Sequence, residues 1–165
     1  MRNFNVVMAT AADTVIAETE FTRRIAGLEE RAGCRNVVNM KGTIFDSACP
    51  SCGRHYPVEY IRESKNVPLC EHCLVALRPQ VCLFGEMIDN GIMTRAAEEV
   101  EKADVLLVLG ANLNSTLCSQ LLQYYSGTNL ILVTGSEHYT DQRADYIVYG
   151  RCDEFLERLA EECEN

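Results

Sequence analysis

Basic residues are scarce in this chain: 15 Lys and Arg stand against 24 Asp and Glu, a formal net charge of −9 over 165 residues. A nucleic-acid surface needs clustered cations to replace the counterions of the phosphates, so that class of partner is excluded. The acidic balance instead favours solubility or a basic partner. Long apolar runs are also missing; none approaches the roughly 20 residues needed to span a bilayer, and no membrane association is expected. Met1–Met8 carries one Arg and neither a long apolar region nor a small-residue cleavage site, so it does not read as a secretory signal. There are no internal repeats and no low-complexity tracts. What is present is core: 47% of the residues are apolar, enough for one compact unit with a small insertion.

Cysteine is abundant by comparison. Of nine cysteines, four form two Cys-x-x-Cys pairs, Cys49/Cys52 and Cys70/Cys73, with seventeen residues between the pairs. Without a secretory signal this pattern reads as metal binding in a reducing, cytoplasmic setting before it reads as disulfides. Thiolates are soft ligands suited to tetrahedral zinc, and each tight turn supplies two sulfurs. Four protein ligands close the coordination sphere and leave no water to activate, so the zinc is structural. It would hold a ribbon whose own core is too small to fold alone. His72, between Cys70 and Cys73, is an alternative ligand, and a redox Cys-x-x-Cys is the competing reading. Cys34, Cys82, Cys118, Cys152 and Cys163 show no pairing logic and are expected as reduced thiols.

Hydrophobic periodicity organises the rest. Asn5–Ala9 reads as a buried strand. Ile25, Leu28 and Ala32 recur at helical spacing within 21–32, and Gly33 stands where that helix would stop. Val37 and Val38 open a short extended stretch expected to end at Gly42. Beyond the cysteine-rich segment, Met93, Ala96, Ala97 and Val100 share a helical face. Asp104–Leu109 is a continuous apolar run ending at Gly110, and a helix is expected over 115–125. Leu130–Val133 and Tyr146–Val148 read as strands, and a last helix turns Phe155, Leu156, Leu159 and Ala160 inward. Apolar strands without polar alternation are buried on both faces, and intervening helices imply parallel crossovers. The expectation is a doubly wound, Rossmann-like α/β sheet formed by 1–46 and 83–165, interrupted by a zinc ribbon at 47–82.

Several segments in this order resemble the sirtuins: Ile25–Gly33, Gly42–Phe45, Cys49-Pro-Ser-Cys52, Cys70-Glu-His-Cys73, Leu77–Glu86, Ala103–Gly110, Ala144–Val148 and Gly150–Asp153. These are zinc-containing, NAD-dependent protein deacylases and ADP-ribosyltransferases. The resemblance covers most of the chain from about Thr22 onward. It implies chemistry in which an acyl-lysine oxygen attacks the anomeric carbon of NAD while nicotinamide leaves.

The resemblance also assigns roles, position by position. The glycine-rich phosphate loop, expected well before Thr22, is absent. The sheet is therefore expected to be N-terminally incomplete, without its first βα unit. The nicotinamide-binding Asn and Asp fall on Arg24 and Ala26; a second register puts them on Ala11 and Asp13. The general-base His, eight residues before Cys49, is Lys41, and a protonated amine in water is a poor base. Gly110, Ala111 and Asn112 match the loop after a strand that faces the cofactor. Thr134 matches a ribose-binding position, and Gly150 and Cys152 match the adenine wall. Phe84, Gly85 and Glu86 match the segment beside the acyl-peptide groove, although Phe84 also reads as a core side chain.

Three functions follow from the resemblance: a degenerate sirtuin serving as a partner-binding scaffold, an active deacylase or transferase, and a module that binds NAD or ADP-ribose without cleaving it. A missing first βα unit would leave an apolar flank, so a homo-oligomer or a partner subunit is expected, and a protein substrate if the chain is active.

Overall fold

The computed structural model describes residues 6–9, 19–23 and 25–164. Asn5, Ala11, Asp13 and Arg24 lie outside them. In chain order the elements are β1 (Val6–Ala9), β2 (Thr19–Thr22), α1 (Leu28–Arg31), β3 (Val37–Asn39), β4 (Gly42–Ala48), β5 (His55–Pro57), α2 (Val58–Glu63), β6 (Arg78–Val81), α3 (Asn90–Lys102), β7 (Val105–Leu109), α4 (Thr116–Leu121), β8 (Leu130–Thr134), β9 (Tyr146–Tyr149) and α5 (Cys152–Glu164).

Six strands, every pair parallel, make the main sheet in the order β3-β2-β1-β7-β8-β9. This is the doubly wound order, with the reversal at β1 and β7. Strand β7 shows why its sequence is apolar without a break. Leu106 and Val108 pack toward Ala96 and Val100 of α3 and Leu121 of α4. Leu107 and Leu109, the alternate residues, pack toward Val133 of β8 and Leu156 of α5. Both faces are covered, so both sets must be apolar. Helix α3 is started by Asp89, whose carboxylate accepts the Gly91 and Ile92 N–H groups at 2.8 and 3.2 Å.

The strand of the first βα unit, expected to be missing, is supplied by Val6–Ala9, which pairs with β2 on one side and β7 on the other. The connection from β1 to β2, residues 10–18, lies outside the described residues. A second correction concerns 21–32. Among the described residues of this segment only Leu28–Arg31 is helical; Phe21 and Thr22 end β2, facing Val38 and Asn39 in register, and are 4% and 0% exposed. Burial between two strands overrides a helical spacing carried by three residues. The expected helix over 115–125 is likewise shorter, giving way to a 3₁₀ turn at Leu122–Tyr124.

The second sheet is antiparallel, in the order β5-β4-β6. Gly42 opens β4 instead of closing the preceding stretch. It has φ 74°, and a Cβ there would lie 1.9 Å from the Gln80 carbonyl oxygen of β6, so only glycine permits the close pairing. The hydrophobic cluster of this layer is small: Cys49, Tyr56 and Cys70, flanked by Tyr60, Cys73 and Leu77, with Ser47 and Ala48 of β4 also buried.

Candidate functional site

The two cysteine pairs fold into matching turns. Cys49 N–H bonds the Arg54 carbonyl and Gly53 N–H bonds the Cys49 carbonyl. Cys70 N–H bonds the Val75 carbonyl and Leu74 N–H bonds the Cys70 carbonyl, all at 2.8–2.9 Å. The residue after each second cysteine is left-handed: Gly53 at φ 71° and Leu74 at φ 56°. These turns aim four sulfurs at one point. The Sγ atoms of Cys49, Cys52, Cys70 and Cys73 all lie within 4.8 Å of one another, and Cys52 and Cys70 are 3.7 Å apart. A zinc–sulfur bond of about 2.3 Å in a tetrahedron sets sulfur–sulfur edges of roughly 3.8 Å. The donor set and its spacing therefore fit a closed tetrathiolate zinc. His72 lies beside this set, with Nδ1 3.6 Å from the Cys73 sulfur.

The sulfurs are not equivalent. Cys70 is fully buried, and the Tyr56 hydroxyl donates to its Sγ at 3.2 Å. That hydrogen bond is the main reason its thiol is brought down to about 6. Cys73 is pushed up to about 11, first by its contact with Cys52. A dication held by Cys49, Cys52, Cys70 and Cys73 would take all four groups as thiolates and remove this unequal competition for protons.

The other expected residues lie along the carboxyl edge of the parallel sheet. Gly110 follows β7 at φ 61° and its N–H bonds the Val133 carbonyl at 2.9 Å; Gly150 N–H bonds the Thr134 carbonyl at the same distance. The Cys152 sulfur would be 3.6 Å from a Cβ at Gly110, and burial pushes its thiol up. Gly110, Thr134, Gly150 and Cys152 are thus brought together where β7, β8 and β9 end. Ala111 and Asn112 continue the loop. The Asn112 side-chain oxygen accepts Asn114 N–H at 2.8 Å and the Thr140 hydroxyl at 3.3 Å. Lys41 is on the same edge but after β3, three strand spacings from β7, or about 14 Å. It is exposed in the turn before β4, and its carbonyl accepts Cys82 N–H at 2.9 Å.

Phe84, Gly85 and Glu86 form a turn on the exit from β6. Phe84 is fully exposed, with Leu83 and Met87 also exposed beside it, so the core reading of Phe84 is corrected. Gly85 has φ 86°. The Glu86 carboxylate accepts Leu83 N–H at 2.9 Å and pairs with Arg78. These two contacts, in that order, hold its carboxyl below the usual range. The turn borders a cavity of about 510 Å³ lined by Met87, Ile88, Met93, Thr116 and Tyr124 among others.

Sequence reasoning missed the tyrosines that hold the second cysteine turn, and the Thr140 contact to Asn112. Tyr56 and Tyr60 are four residues apart close behind Cys52, which is the one signal the sequence carries for the former.

The Sir2 family model matches residues 4–116. The chain belongs to the Sir2 family. The NAD-dependent protein deacetylase of Clostridium perfringens is 34% identical over 128 residues, covering 77% of this chain and 52% of that protein. NAD-dependent protein deacylase 1 of Archaeoglobus fulgidus is 33% identical over 140 residues, covering 84% of this chain and 57% of that protein. A solved structure of Sir2 with a p53 peptide and NAD+ superposes with a TM-score of 0.77 at 29% identity, over 90% of this chain and 64% of that one. The chain therefore spans about half the length of these curated relatives. Among the described residues no helix is long and apolar enough to cross a membrane.

Proposed function

We propose that this chain is a degenerate sirtuin, a zinc-stabilised module that binds a partner or an NAD-like nucleotide and does not deacylate lysine. The observation that carries the reading is Lys41, at the carboxyl end of β3 and eight residues before Cys49, where the resemblance calls for a histidine base. A lysine there leaves the place without the imidazole whose nitrogen would take a proton from a ribose hydroxyl.

Zinc, held by Cys49, Cys52, Cys70 and Cys73, would fix the ribbon and take no part in chemistry, because its four positions are filled by thiolates. NAD or ADP-ribose would lie across the carboxyl edge, the general ligand position in doubly wound sheets. When bound, NAD supplies an electrophilic anomeric carbon and a nicotinamide leaving group. The chain's part is to bind and orient. Gly110 and Gly150 spend their N–H groups on the sheet, so their contribution is the missing Cβ, which lets a nucleotide approach the backbone. Thr134 offers a hydroxyl to a ribose, and Cys152 a small apolar wall to a base. Asn112, whose side-chain oxygen is occupied, offers its amide N–H₂ to a phosphate. Phe84 and Met87 offer apolar surface to an extended peptide or a partner chain. Self-association or a partner subunit would also cover Tyr146, Ile147 and Tyr149, exposed on edge strand β9. The abundance of reduced thiols suits a cytoplasmic setting.

The second reading, an active NAD-dependent deacylase, is favoured by the names of the relatives. Two experiments separate the readings. Calorimetry with NAD and ADP-ribose is expected to show binding of at least one of them if the module senses nucleotide, and none if it is a scaffold alone. Nicotinamide release with an acetyl-lysine peptide is expected to be absent. Turnover by the pure chain would remove the degenerate reading.

A further inference from the structure

Between the two cysteine turns the chain inserts β5 and α2, and this insert reaches back to one sulfur. Tyr56 of β5 is 5% exposed and Cys70 is 0% exposed, so their contact is made away from water. The backbone N–H of Glu71 can only donate, and it donates to the Tyr56 oxygen at 3.0 Å. With that lone pair engaged, the hydroxyl proton is directed along the 3.2 Å line to the Cys70 Sγ. Cys70 also receives the Cys73 N–H at 3.4 Å. The ring of Tyr56 is braced by that of Tyr60, with centroids 4.8 Å apart, and the Tyr60 hydroxyl donates to the Leu69 carbonyl at 2.9 Å. Two phenols therefore hold three consecutive residues, Leu69, Cys70 and Glu71. Only one of them touches sulfur.

We infer that Tyr56 is a positioning residue of the zinc centre: its buried hydroxyl orients the Cys70 thiolate and neutralises part of its charge, and so slows release of the metal. This rests on the zinc reading of the four cysteines. The physical reason is that a thiolate with all its charge in a dry site is costly, and a hydrogen bond to it from a fixed donor costs no reorganisation. Partners that hydrogen-bond a metal ligand are typically worth 10- to 100-fold in metal affinity. The Tyr60 hydroxyl, by contrast, acts on backbone alone.

The test uses the full chain and three proteins: wild type, Tyr56→Phe and Tyr60→Phe. Phenylalanine keeps the ring and removes only the hydroxyl. Zinc release to an excess of a chromogenic chelator is expected to be about 10- to 100-fold faster in Tyr56→Phe than in wild type, and little changed in Tyr60→Phe. In the cobalt-substituted proteins, the sulfur-to-cobalt charge-transfer bands are expected to shift in Tyr56→Phe only, a readout that a merely structural role would not move. If Tyr56→Phe fails to fold, cadmium-substituted wild type serves instead. A protected Tyr56 hydroxyl proton coupled to cadmium through the hydrogen bond is expected in its NMR spectrum. Zinc release and cobalt bands unchanged in Tyr56→Phe, equal effects in the two variants, or no coupling to cadmium would overturn the inference and leave the zinc reading intact. Wild type that takes up no zinc would overturn both.

Discussion

The ribbon and the parallel sheet are held together by different means. In the sheet, β7 and β8 are apolar on both faces and are covered by α3 and α4 on one side and α5 on the other. In the ribbon, the hydrophobic cluster is three buried residues and their few neighbours, and two of the three are cysteines facing a common point. A layer that small cannot offset the entropy of ordering its chain by burial alone. The sheet is built to stand on packing, and the ribbon on four sulfurs and a metal. On the proposed reading, the ribbon is structural, and the carboxyl edge, where a nucleotide would lie, presents Gly110 and Gly150 with Lys41 standing where the resemblance calls for the base.

This contrast is open to direct attack. The largest effect is expected from Cys49→Ser, which removes one of four ligands. Metal analysis should find zinc lost and hydrogen exchange should find 42–81 unprotected, since structural zinc in small modules binds with about 10–16 kcal/mol of apparent free energy. The protection of β7 and β8 should survive. The converse change is Leu132→Ala, at a fully buried position of β8. It should cost about 2–5 kcal/mol, seen as a lower melting temperature of the main sheet with zinc content unchanged.

Two smaller predictions sharpen the picture inside the ribbon and at its exit. Leu74 holds the left-handed position that Gly53 holds in the matching turn, and it is largely exposed. Leu74→Gly should therefore stabilise the ribbon by up to about 1 kcal/mol, read as resistance to denaturant. Glu86 has a carboxyl lowered by Leu83 N–H and Arg78. A depressed carboxylate contributes stability above its ordinary value of 4.5 and loses it as pH falls through the lowered folded-state value. Glu86→Gln should flatten that acid limb relative to wild type, measured as amide protection of the Leu83–Glu86 turn against pH.

Much of this molecule was legible in its residues, for identifiable reasons. The cysteine spacing named the tetrad because two tight turns leave little freedom in where their sulfurs point. Strands β7 and β8 and helix α3 were legible because long segments carry an unambiguous period. Phe21 and Thr22 were not, since three residues at helical spacing cannot outweigh pairing with two neighbouring strands. Gly42 opens a strand instead of ending one because Gln80, far along the chain, presses against it, a contact its own neighbours in sequence do not reveal. The exposure of Phe84 was hidden for a related reason: an apolar residue shows its burial only through neighbours that the fold provides. The contact of Tyr56 with Cys70 is not legible because a hydrogen bond to sulfur leaves no spacing rule. Gly110, Thr134, Gly150 and Cys152 lie together at the carboxyl edge because β7, β8 and β9 run parallel and end side by side there.

The claim that metal holds the ribbon and packing holds the sheet is tested most directly by hydrogen exchange before and after zinc is removed with a chelator. Amides of β4, β5 and β6 are expected to lose protection on removal and regain it when zinc is restored, while those of β7 and β8 do not change. Ribbon amides that stay protected without metal, or a sheet that melts together with the ribbon, would contradict it.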